Sequence, residues 1–93
     1  ICLMGYENRA DAPLIAYDDI KVNGQPLING GFEASSEKIA PWSSWGKAKL
    51  ATDGGAAEGK NFVLVNHHNP AIQDFSVKAG ELVTVTVQTK AAN

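Results

Sequence analysis

Apolar and polar positions alternate most clearly over residues 81–90, where Val83, Val85 and Val87 interleave with Thr84, Thr86 and Gln88. A period of two with β-branched residues predicts a strand with one face on a core and the other towards solvent. The same alternation runs from Leu14 to Val22 after Pro13, with Leu14, Ala16, Asp18, Ile20 and Val22 on one face. Ile15, Tyr17, Asp19 and Lys21 fall on the opposite face. Phe62 to Val65 is apolar at every position, the pattern of a central strand covered on both sides. Residues 47–52 form a weaker strand candidate, and Ile1 to Met4 reads as a short apolar strand followed by a loop.

Turn chemistry punctuates these runs. Asn23-Gly24 is a strong turn dipeptide between the Leu14 to Val22 strand and the segment from Leu27 to Phe32. Lys78-Ala79-Gly80-Glu81 predicts a turn that joins Ile72 to Val77 with the Val83 strand as a hairpin. No stretch places apolar residues at helical spacing over helical length, so no helix is predicted. The expected class is all-β, with antiparallel strands in one domain over residues 1–93.

A chain of 93 residues buries only about two thirds of its unfolded surface, so its core is thin. Apolar residues make up 44% and charged residues 19%, which argues against disorder. The net charge of −2, with cations scattered singly, gives no footprint for nucleic acid or an anionic membrane. Cys2 is the sole cysteine, so no internal disulfide forms. There is no apolar run of membrane-spanning length. Starting at Ile1 suggests a processed, secreted chain, with a fragment of a longer multidomain protein as the rival reading.

The sequence Asn29-Gly30-Gly31-Phe32-Glu33, followed by Pro41-Trp42 and Asn61-Phe62-Val63-Leu64-Val65, resembles the opening of galactose-binding-like jelly-roll carbohydrate-binding modules. Ala16-Tyr17-Asp18-Asp19-Ile20-Lys21-Val22 resembles the strand that closes such a module. Here the closing segment (14–22) precedes the opening half (27–89), and the strands that would lie between are absent. The resemblance implies an antiparallel β-sandwich, a jelly roll, incomplete within one chain. Three explanations stand open: a piece spanning two tandem modules, a permutation with a reduced sheet, or a strand donated to another subunit.

The resemblance also implies a structural calcium ion between the opening and closing segments. Its ligands would be Glu33 with Asp18 and Asp19, supplemented by carbonyls of Gly31 and Lys60, an oxygen donor set that suits calcium. The alternative is that the aspartates are solvated and Glu33 borders a turn. For sugar recognition the candidates are Trp42 and Trp45 as stacking platforms, with His67, Gln73 and Gln88 as hydroxyl partners. Against this, Trp42 soon after the motif suits a core position, and single polar residues on strands need no function. The adjacent His67 and His68 point to opposite faces of a strand and do not share one metal.

No nucleophile elbow, phosphate-binding loop or zinc-protease motif occurs, and a chain this short leaves no deep cleft, so no enzymatic role is expected. Two functions follow. The first is a secreted structural subunit that forms homo-oligomers or filaments by strand complementation, with Leu14, Ala16, Tyr17, Ile20 and Val22 on the donated strand. The second is a carbohydrate-binding module, or part of one, that takes a plant-type polysaccharide and targets an attached glycoside hydrolase.

Overall fold

The computed structural model describes residues 1–9, 11–52 and 54–91. Seven strands and no helix occur among them: β1 (Cys2–Leu3), β2 (Ile15–Val22), β3 (Gln25–Pro26), β4 (Lys49–Ala51), β5 (Phe62–Val65), β6 (Ala71–Ile72) and β7 (Val85–Ala91). All pairings are antiparallel, as the short strands and tight turns predict. The class is therefore all-β.

β2 is the spine of a five-stranded sheet. Its first half pairs with β5 (Ile15↔Val65, Ala16↔Leu64, Tyr17↔Val63), and β5 pairs on with β4. Its last two residues pair with β3 across the Asn23-Gly24 turn, where both residues take positive φ, 52° and 81°, as a two-residue hairpin of this type requires. Along its opposite edge β2 pairs with β7 from Ile15↔Ala91 to Val22↔Val85. A separate two-stranded sheet joins β1 to β6.

Three sequence expectations change. Ile72 pairs with Cys2, so no hairpin joins 72–77 to β7. Gln73 is tied instead to the amino terminus: its N–H donates to the Ile1 carbonyl at 3.0 Å, and its own carbonyl accepts from the Ile1 ammonium at 2.6 Å. The segment 14–22, expected to be available for donation, is paired on both edges within its own chain. Strict alternation along it also fails. Asp19 has φ of 54°, and the β2–β7 register shifts between Asp18 and Lys21, a β-bulge. The extra residue lets Tyr17 and Ile20 both reach the core, while Ala16 and Asp18 line the opposite surface.

The core lies between the large sheet and the β1–β6 pair. Leu3, Ile20, Phe32, Trp42, Val63, Val65 and Ala71 form one buried cluster, with Tyr17, Leu27, Leu50 and Val87 packed at its margin. Phe32 and Trp42 meet with ring centroids 5.3 Å apart. Both rings come from irregular segments and are buried, which is worth about 1.5–3 kcal/mol for each side chain of this kind.

Candidate functional site

The segment 29–33 forms a knot rather than a strand. The Asn29 side chain donates to the Ile39 and Ala40 carbonyls and accepts from the Ala34 N–H. The Asn29 carbonyl accepts from the Trp42 indole N–H at 2.8 Å and from the Phe32 N–H at 3.2 Å. Phe32 holds a left-handed backbone (φ 59°) that an aromatic residue rarely adopts, and its complete burial beside Trp42 offsets that strain.

Phe32 in this conformation aims Glu33 at the loop before β5. Glu33 Oε2 accepts from the N–H groups of Lys60 (3.0 Å) and Asn61 (2.6 Å). Asn61 in turn donates its side chain to the carbonyls of Phe32 and Ser35. Gly59 suits this approach: its φ is +66°, and a Cβ would stand 2.6 Å from the Glu33 carboxyl carbon, so a side chain there would displace the carboxylate. From β2, Asp18 does the same for the preceding residues, with Oδ1 accepting from Asp19 N–H (2.8 Å) and Oδ2 from Glu58 N–H (3.0 Å). Two carboxylates thus pin the loop 57–61 over the outer face of the sheet, and charge-assisted bonds to amides are stronger than neutral ones.

These anchors gather negative charge. Burial pushes the Asp18 carboxyl above the usual carboxylate range, the amides of Glu58, Asp19 and Ala57 pull it back down, and the Glu33 charge pushes it further up. The exposed Glu58 carboxyl is also raised, first by a hydrogen bond shared with Asp19 and then by the Asp19 charge, with Lys21 opposing. Lys21 Nζ stands 3.7 Å from Asp19. In charge and donor type the group suits a hard cation, since all its side-chain donors are oxygens. Its geometry is that of neighbours rather than a closed shell: no group of three or more His, Cys, Asp or Glu side chains is arranged to hold a metal among the described residues. Asp18, Asp19 and Glu33 are brought to one region, whereas Lys60 meets it through its N–H, a donor to Glu33, and not through the carbonyl expected as a ligand. Glu58 and Asn61 belong to the same region and carry no sequence signal, because their part depends on the loop path and not on spacing.

The five sugar-recognition candidates do not converge. Trp42 is 3% exposed and hydrogen-bonded inside the core, so it offers no platform. Gln73 is buried and donates to the Ile28 carbonyl at 2.9 Å. Trp45 is 69% exposed, on a loop clamped to the 66–69 turn by the Lys47 N–H bond to Asn69 Oδ1 (2.7 Å). Gly46 permits that approach, because a Cβ there would meet the His68 carbonyl at 2.2 Å. His67 is half-buried with Nδ1 against the Gly5 carbonyl at 3.2 Å. Gln88 is exposed on β7, beside Asp18, Lys90 and Phe62 in a small groove of about 110 Å³.

β7 is the other feature of note. It is seven residues long, exposed along nearly its whole length, and among the described residues pairs only with β2. Its one charged side chain, Lys90, is turned inward across the sheet, with Nζ bonded to the Gly55 carbonyl at 2.6 Å and standing 5.3 Å from the centre of the Phe62 ring. Leu82 (86% exposed) and Val85 (41%) extend the apolar character of this rim. No protein-family model, curated protein or solved structure matches the chain.

Proposed function

We propose that this chain is a non-catalytic structural subunit that associates by strand addition, and that the associating edge is β7. The observation that carries this reading is the edge of β7, a seven-residue strand that among the described residues pairs only with β2. Unpaired N–H and C=O groups along such an edge template another strand. Natural edges are commonly guarded by outward lysines, bulges or proline, and here the only lysine of β7 is tied back over its own sheet. The role expected for segment 14–22 passes to β7, because 14–22 has both edges occupied. In this reading the jelly-roll-like sandwich is completed between chains in an extracellular setting. A calcium ion drawn to the charge of Asp18, Asp19 and Glu33, with no preformed ligand shell among the described residues, would offset the negative charge beneath the 57–61 loop.

Light scattering with negative-stain images of the parent chain and of Val85→Lys tests the reading. Oligomers that revert to monomer in the variant support it. A parent chain that stays monomeric at high concentration rules it out.

A second reading, sugar binding, is favoured by Trp45 alone, an aromatic face held outward on a braced loop. Stacking on the apolar face of a sugar ring needs such a platform.

A further inference from the structure

We infer that the partner of the β7 edge is β7 of a second copy, paired antiparallel about a two-fold axis at Gln88. This rests on the strand-addition reading and names its partner. With the axis at Gln88, Val85 faces Ala91, Thr86 faces Lys90, Val87 faces Thr89 and Gln88 faces its own copy. This is the register in which every residue of β7 finds a partner within the strand. Directly opposed residues project to one face, so the pairs sort by chemistry. Val85, Val87, Thr89 and Ala91 share the side that meets the core through Val87, and Thr86, Gln88 and Lys90 share the other. The partly exposed Val85 gains an apolar neighbour.

Charge agrees with this choice. An axis at Lys90 would oppose two ammonium groups, which destabilises a cross-strand pair, whereas an axis at Gln88 sets each lysine against a threonine. The other candidate strands are less suited. β2 is paired on both edges, and β4 offers three residues of outer edge against the seven of β7. A two-fold contact is self-complementary and closes after two copies. The product is one continuous sheet running through both subunits.

Disulfide trapping in the 93-residue chain carrying Cys2→Ser tests the register. Gln88→Cys should cross-link efficiently under mild oxidation, because directly opposed residues in antiparallel strands lie within disulfide reach. Val85→Cys should cross-link many-fold less, since its opposite number is Ala91. Trapping at 85 as strong as at 88 would mean parallel pairing or another register and would overturn the inference. Oligomers in light scattering with no trapping at 88 would overturn it while leaving strand addition standing. A parent chain that is monomeric throughout would remove both.

Discussion

Glu33 Oε2 accepts two successive backbone N–H groups, from Lys60 at 3.0 Å and from Asn61 at 2.6 Å. The residue that ends the NGGFE-type segment is therefore the residue that fixes the entry into β5, a link across 28 positions of sequence. The carboxylate serves the loop as an anion-binding turn run in reverse, with amides converging on a side chain rather than on a ligand.

Replacing Glu33 by Ala removes the acceptor of both amides and should cost about 1–3 kcal/mol, the usual penalty for leaving partly buried donors unsatisfied. Glu33→Gln keeps an acceptor oxygen and should recover part of the loss. Urea denaturation of both variants measures this. Equal stability of Glu33→Ala and the parent would remove the clamp from the account.

Phe32→Ala should cost about 3–5 kcal/mol, because it empties the centre of the core cluster. For a domain of this size that approaches the whole stability. The far-ultraviolet and tryptophan signals should both report loss of fold at room temperature. A cooperative transition near the parent midpoint would show that the Phe32 site collapses without cost.

Glu58→Gln probes the charge cluster. The Glu58 and Asp18 carboxyls are raised in the folded state, so the native chain binds these protons more tightly than the unfolded one. The stability they contribute is complete below about pH 4, in the unfolded carboxylate range, and is lost as pH rises through their folded values. Glu58→Gln should therefore melt above the parent at pH 7, and the difference should vanish on acidification towards about pH 4. A variant that melts below the parent at neutral pH would contradict this sign.

Calcium addition should raise the melting temperature of the parent by relieving repulsion among Asp18, Asp19, Glu33 and Glu58. At a free concentration about 100 times the dissociation constant the gain is about 2.7 kcal/mol. Magnesium, which needs tighter octahedral geometry, should give less. Asp19→Asn should abolish the calcium response. No shift at millimolar calcium would strike the ion from the functional reading.

The two tryptophans should separate cleanly. Trp45→Ala should change stability by no more than about 0.5 kcal/mol, as for exposed positions, whereas Trp42→Ala should cost about 3–5 kcal/mol through lost packing and the loss of the indole bond to the Asn29 carbonyl. If sugar binding is the function, a glycan array positive for the parent turns blank with Trp45→Ala. A signal that survives the substitution would move recognition elsewhere on the surface.

Local pattern determined a good deal here. The β5 strand is legible as Phe62 to Val65 because four successive apolar residues suit a position between β2 and β4. The Asn23-Gly24 turn is legible because few other dipeptides accept two positive φ angles in a row. The nearness of Asp18 to Glu33 is an expectation that the resemblance of segments 16–22 and 29–33 to two ends of one module carries, since nothing in their spacing along the chain implies it. Tertiary structure decided the rest. Alternation along 14–22 breaks at Asp19 because a bulge inserts one residue against β7, and a bulge depends on the partner strand. Trp42 and Trp45 are chemically alike, and only the Asn29 carbonyl and the Phe32 ring settle that one is inside. The strand at 85–91 has the same period whether it faces one neighbour or two, since period reports faces and not edges. Edge occupancy is set by which strands arrive alongside, a matter of long-range pairing that no local pattern encodes.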